Sequence, residues 1–192
     1  KIIKKRSKSS HEWVGFSESW AIEFFPAIAR SFPKAKFLVS LRDPRATIYA
    51  NQNITKKSRR AQILSYSRHF RKQVALICYY MKSKILKNRI HVFCYESLVF
   101  NPKDTIKNIC NFLGIKFDSR SIKFKNFYSY ETKKRWQGDS HTKIKISNFD
   151  EERTYFWKKK ISRDILKYIE FLCHHELKVC GYKLFIDLDK IL

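Results

Sequence analysis

Apolar and polar positions alternate in blocks, and each block has the length and period of one kind of element. Short apolar runs at 36–41 and 90–94 are bounded by turn or polar residues, which is typical of strands buried in a sheet. Between them, segment 61–86 has apolar residues at steps of three or four, which predicts a long amphipathic helix. These residues are Ile63, Tyr66, Phe70, Val74, Ile77, Met81 and Ile85.

Helical periodicity also predicts shorter helices at 19–31, from Pro44, at 102–113, from Asp150 and from Ser162 to near Gly181. Pro26 lies inside the first of these and is expected to kink or split it. Strands that alternate with helices imply a parallel sheet covered by helices on both faces, so the predicted fold class is α/β. Segment 116–150 has few clear elements, and a long loop in a compact domain is typically functional.

Charge and composition narrow the function classes. The 192-residue chain carries 41 basic and 17 acidic side chains, a net charge of +24 that attracts polyanions, although lysines filling surface positions would give the same excess. With 44% hydrophobic residues it is not a disordered tail. No apolar run has the roughly 18 residues that a membrane span needs, and the basic start is not a signal peptide.

The five cysteines form no C-x-x-C pair, which favours a reducing compartment such as the cytoplasm. The Golgi lumen is the alternative if a membrane anchor precedes this segment in a eukaryotic protein. Cys173, His174, His175 and Cys180 do not converge well on one helix, so we expect no metal site.

The first predicted strand stops at Arg42-Asp43-Pro44-Arg45. Asp43 suits the N-cap and Pro44 the first turn of the next helix. The strand is therefore expected to deliver two guanidinium groups, those of Arg42 and Arg45, to the end of the sheet, where α/β proteins bind anions. The alternative is a surface ion pair of Arg42 with Asp43 or Glu96.

Several blocks of the sequence, in order, resemble the sulfotransferases that use 3′-phosphoadenosine 5′-phosphosulfate (PAPS). The resemblance is closer to the carbohydrate and protein-tyrosine enzymes than to those acting on phenols and steroids. It runs over residues 15–185 and rests on 36–46, 92–98, 101–102, 112–115, 136–140, 156–161 and 181–182. It implies one domain over residues 1–192 with the family's P-loop-like α/β fold, a parallel sheet flanked by helices, and a loose basic stretch at 1–14.

The resemblance also implies roles for individual residues. Arg42 would grip the 3′-phosphate of PAPS, Tyr95 would contact the adenine, and Ser140 would meet a nucleotide phosphate. Arg153 or Lys158 would supply a further cation. The alternative for Tyr95 is a core tyrosine.

One position departs from the family pattern. A serine that usually follows the arginine by eight residues and meets the 3′-phosphate is replaced here by Ala50. The loss of one hydrogen bond to a charged acceptor is worth about 1–3 kcal/mol. Ser40 or Asn51 would have to compensate for it.

Glu18 is the candidate catalytic base, because carbohydrate sulfotransferases carry an acidic residue about this far before the phosphate-binding strand. A lysine that often follows is absent here. The alternative is an acidic residue that interacts with a helix N-terminus.

The resemblance implies an upstream strand and a Gly/Ser/Thr-rich loop for the 5′-phosphosulfate, and no comparable segment lies in residues 1–14. We therefore expect an N-terminally truncated piece of a longer chain that holds half of the cofactor. The predicted function is sulfuryl transfer from PAPS to a hydroxyl or amine of a glycan or protein, possibly an anionic one. The alternatives are a basic nucleic-acid-binding module, suggested by the aromatic and lysine residues of 123–136, and an inactive interaction domain.

Overall fold

A computed structural model describes residues 14–18, 21–51, 59–123, 128, 134–135 and 149–187. The predicted α/β class is confirmed: strands β1 and β2 form a parallel sheet, and helices flank it. The elements in chain order are a 3-10 turn Ala21–Phe24, α1 Phe25–Ser31, β1 Phe37–Leu41, α2 Pro44–Asn51, α3 Arg59–Lys82, β2 Ile90–Cys94, α4 Tyr95–Phe100, α5 Pro102–Leu113, a 3-10 turn Ser119–Ile122, α6 Glu152–Lys160 and α7 Arg163–Val179.

The main core lies on one face of the sheet. Phe37, Val39 and Leu41 alternate along β1 and are buried against α1, α3 and α7. Each such side chain contributes about 1.5–3 kcal/mol when fully buried. This core is formed by Ile22, Phe25, Ala29, Phe70, Val74, Ile77, Tyr80, Leu86, Ile90, Cys173 and Leu177 with the three strand residues.

On the second face of the sheet, the described helices cover β2 more than β1. On β2, the His91 ring stacks on Phe112 of α5 with ring centroids 5.2 Å apart. On β1, Leu38 is 40% exposed and Ser40 is exposed as well. These two residues of β1 are therefore accessible to a ligand.

The long helix α3 ends earlier than its periodicity predicts. It stops at Lys82, and the turns that follow break the helical phase. Ile85, beyond the helix end, is therefore 51% exposed while Leu86 is buried, and within the last turn of α3 Met81 is 47% exposed while Tyr80 is buried.

Several predicted boundaries agree with the structure. The segment around Pro26 is split, because a 3-10 turn precedes α1 and Pro26 lies in the first turn of α1. Gly114, with φ at 77°, ends α5, and the Ser162 hydroxyl accepts the Ile165 N–H at the start of α7. None of the described helices is long and apolar enough to cross a bilayer.

Candidate functional site

The parallel register brings the residues that follow the two strands together. Leu41 pairs with Cys94 at the last rung, so Arg42 and Tyr95 leave the sheet side by side. The Arg42 guanidinium carbon lies 4.4 Å from the centroid of the Tyr95 ring. A cation at this distance is attracted by the ring, which holds the guanidinium at the carboxyl end of the sheet.

The Nε of Arg42 has no polar partner among the residues that the structure describes. It is buried without a hydrogen bond, and none of the described carboxylates forms an ion pair with the guanidinium. A buried donor without an acceptor destabilises the protein, typically by about 1–3 kcal/mol. An anionic ligand at this point would remove that penalty.

The carboxylates nearest in sequence are engaged elsewhere. Glu96 accepts the Asp43 backbone N–H at 3.0 Å through one oxygen and the Tyr182 hydroxyl at 3.0 Å through the other. Burial, followed by the nearby Glu96 charge, raises the pKa of Tyr182, so this phenol stays a donor. The alternative ion pair of Arg42 with Asp43 or Glu96 is therefore not formed.

Arg45 does not reach the end of the sheet, and that prediction is wrong. Its side chain is 2% exposed and bonds to Asp43, to Glu170 of α7 and to the Lys183 carbonyl. Asp43 also accepts the Arg45 N–H at 2.9 Å, which confirms its N-cap position. Burial alone would lower the Arg45 pKa, but the bonds to the two carboxylates outweigh it and raise that pKa.

Arg42 lines a cavity of about 350 Å³ between β1, α1, α2 and α3. Glu18 lines the same cavity, as do Ser40 and Thr47, so the structure brings the candidate base and the candidate phosphate ligand together. Glu18 itself is exposed. A cavity with a cation on one side and a carboxylate on another can hold an anion and accept a proton from a neighbouring group.

The other predicted residues differ in where they lie. Arg153 lies in the first turn of α6 and does not line this cavity, and its Nε bonds to Asp150 at 2.9 Å. Ser140 lies outside the described residues. Of the two side chains expected to compensate for Ala50, Ser40 lines the cavity, whereas Asn51 donates to the Thr47 carbonyl at 2.8 Å.

Sequence reasoning missed two polar residues of α3 that line the cavity, His69 and Gln73. Burial, and then the charge of Lys72, lower the pKa of His69, while Glu23 opposes them. The Gln73 amide donates to the Ser40 carbonyl at 3.4 Å. Both residues follow Tyr66 at helical spacing on the edge of the apolar face, which is the signal that could have found them.

Residues 4–119 match the profile of the sulfotransferase family. Since the match covers more than half of the sequence, the chain belongs to the sulfotransferase family. No curated protein matches the sequence significantly.

Solved structures of sulfotransferases share the fold. The sulfotransferase domain of the curacin biosynthetic pathway has a TM-score of 0.57 at 18% identity, covering 88% of this chain and 62% of that one. The sulfotransferase domain of the olefin synthase of Synechococcus PCC 7002 has a TM-score of 0.57 at 19% identity, with coverages of 78% and 50%. Mouse sulfotransferase SULT7A1, complexed with PAP, has a TM-score of 0.54 at 13% identity, with coverages of 81% and 62%. The chain thus spans between half and two thirds of these structures.

Proposed function

We propose that this protein takes part in sulfuryl transfer from PAPS to a hydroxyl or amine of an acceptor, a carbohydrate or a protein. The observation that carries the proposal is the Arg42 guanidinium at the end of the sheet, whose buried Nε has no acceptor among the described residues and whose carbon lies 4.4 Å from the Tyr95 ring centroid. The family supports it, and the structural relative SULT7A1 was solved with PAP, the donor without its sulfuryl group.

Arg42 and Tyr95 are the proposed nucleotide contacts. A guanidinium fork suits the oxygens of the 3′-phosphate, and the Tyr95 ring is the proposed contact for the adenine. Tyr95 also restricts the guanidinium, so less conformational entropy is lost when the phosphate binds. Ser140 and Arg153 stay predictions as further phosphate contacts.

Glu18 is the proposed base. When bound, PAPS supplies the sulfuryl group and a phosphate leaving group. The side chain of Glu18 lines the Arg42 cavity and would take the proton of the acceptor as its oxygen or nitrogen attacks. Arg42 would thus hold the donor, and Glu18 would activate the acceptor.

Calorimetric titration of the chain with PAP and with adenosine 5′-monophosphate, which lacks the 3′-phosphate, tests this function. The wild type should prefer PAP, and Arg42→Ala should weaken PAP binding about 10- to 150-fold while leaving the monophosphate unchanged, because a charged hydrogen-bonded contact is worth about 1.5–3 kcal/mol. Arg42→Lys should restore part of the preference.

The matched control is Arg163→Ala, an exposed arginine on α7 that does not line the cavity. A wild-type chain that binds PAP no better than the monophosphate would contradict the proposal. RNA binding that falls steeply with salt and is not reduced by PAP would instead favour the nucleic-acid-binding alternative.

A further inference from the structure

A second concave surface of about 750 Å³ lies along the outer side of α3, beside α7. We name it the basic groove; its polar lining residues are Ser65, Arg68, His69, Arg71, Lys72 and Glu176. Of these polar residues, His69 also lines the Arg42 cavity of the proposed donor site, and the others do not.

The basic groove keeps an excess of positive charge. Arg68 is exposed and forms no ion pair with any described residue. Arg71 pairs with Glu176 at 3.1 Å, and Lys72 pairs with Glu23. Both cations are themselves exposed, and ion pairs with exposed partners such as Lys72 and Glu23 contribute at most about 1 kcal/mol, so an incoming anion can compete for these cations.

His69 connects the two concavities. This residue lines both the basic groove and the cavity that contains Arg42 and Glu18. A molecule that lies in the basic groove can therefore extend a group past His69 toward the proposed donor.

We propose that the basic groove binds the acceptor, an anionic saccharide, and presents its hydroxyl past His69 to the Arg42 cavity. This rests on the proposed function. The acceptor oxygen forms the new O–S bond while the bond between sulfur and the bridging phosphate oxygen breaks. Glu18 takes the hydroxyl proton, and the phosphate of PAP leaves with the electron pair.

The lining of the groove favours a saccharide over an acidic peptide. The groove has no Trp, Tyr or Phe among the described residues that line it, so it lacks the aromatic anchor that peptide interfaces usually contain. Arg71 and Lys72 follow Arg68 by one turn of α3. Side chains at this spacing have Cβ atoms about 5–6 Å apart. This spacing suits charges on successive units of a stiff, hydroxyl-rich chain.

Fluorescence anisotropy with a labelled heparin tetrasaccharide tests the groove. The wild type should bind it and should not bind an unsulfated dextran tetrasaccharide. Arg68→Glu should weaken binding about tenfold or more, since it reverses the one groove cation that is without a carboxylate partner in the described part of the chain. Arg163→Glu, an exposed arginine outside the groove, makes the same change in net charge and should leave binding within about twofold.

Two further measurements separate this inference from the proposed function. Saturating PAP should not displace the tetrasaccharide, and Arg68→Glu should bind PAP as the wild type does. Arg68→Gln, with folding checked by circular dichroism, removes the charge without reversing it and should weaken tetrasaccharide binding less than Arg68→Glu does.

Each contrary result identifies what is wrong. Tetrasaccharide binding that is indifferent to Arg68→Glu, or that PAP displaces, overturns the groove and leaves the donor site standing. Tighter, Arg68-dependent binding of a labelled Asp/Glu-rich peptide overturns the choice of a saccharide. A wild type that does not bind PAP overturns the donor site and, with it, the role of the groove.

Discussion

Arg42 and Arg45 lie three residues apart where β1 leads into α2, and an aromatic ring contacts each guanidinium, yet their polar surroundings differ. Arg45 bonds to two carboxylates and a carbonyl, and its guanidinium carbon lies 4.4 Å from the centroid of the Trp157 ring. Arg42 is half-buried, contacts an aromatic ring, and leaves its Nε without an acceptor. One guanidinium is therefore saturated by the protein and the other is available to a ligand.

The saturated arginine links parts of the fold that are distant in sequence. Glu170 of α7 bonds to Arg45 and also accepts the backbone N–H groups of Phe185 and Ile186. Arg45 thereby connects α2 to α7 and to the segment after α7. The comparison indicates that the number of partners a buried cation has, rather than its place in a motif, separates a structural arginine from a binding arginine.

Arg45→Ala should have the largest effect. It leaves Asp43 and Glu170 buried without their cation, which should lower the free energy of unfolding by about 3–5 kcal/mol. Arg42→Ala should have a much smaller effect, because the lost contact with Tyr95, worth about 0.5–2 kcal/mol, is offset by removal of the buried Nε that has no acceptor among the described residues. Urea denaturation of both variants measures the difference.

Arg45→Lys is the variant to use if Arg45→Ala does not fold. It keeps the charge but cannot bond to both carboxylates in the same fork geometry, so it should lie between wild type and alanine. Equal destabilisation by Arg42→Ala and Arg45→Ala would mean that Arg42 is as structural as Arg45.

Tyr95→Leu tests the contact that restricts Arg42, and its effect on binding should be smaller than the effect of Arg45→Ala on stability. Without the ring the Arg42 guanidinium is less restricted, and a cation–π contact is worth about 0.5–2 kcal/mol, so PAP binding should weaken about 2- to 30-fold. Tyr95→Phe keeps the ring face and should retain most of the affinity. Calorimetric titration with PAP would argue against the stacking role if the leucine variant bound as tightly as the wild type.

Local sequence patterns were enough to predict the two strands and the helix start that position this site. Apolar runs located β1 and β2, and the N-cap pattern placed Asp43 before α2, because both depend on neighbours in sequence. Alternating strands and helices indicated a parallel sheet, in which residues that follow two paired strands leave at the same edge. That edge is where Arg42 and Tyr95 lie.

The surroundings of Arg45 could not be predicted in the same way, because they depend on a residue 125 positions away. Glu170 lies beside Leu166 and Cys173 on the apolar face of α7, and a carboxylate at such a position indicates a buried cation without identifying it. Sequence also could not place His69, since its exposure depends on how α3 packs beside β1.

The smallest expected effect concerns His69, which lies where the basic groove and the Arg42 cavity adjoin. Its pKa is lowered by burial and then by Lys72, with Glu23 opposing, while Glu18 and Arg42 line the same cavity. In the window between the lowered pKa and the ordinary value of 6.5, the unfolded chain binds more protons than the folded chain. Stability should therefore fall as pH drops through this window and level off below the folded pKa.

His69→Gln should remove that part of the pH dependence, so the variant and the wild type should differ in slope below pH 6.5 and run parallel above it. His175→Gln, at an exposed position of α7, is the matched control and should keep the wild-type profile. Urea midpoints measured across this pH range report the difference. Identical profiles for His69→Gln and the wild type would mean that the imidazole is as well solvated as in the unfolded chain, which would contradict the burial of His69 where the groove and the cavity adjoin.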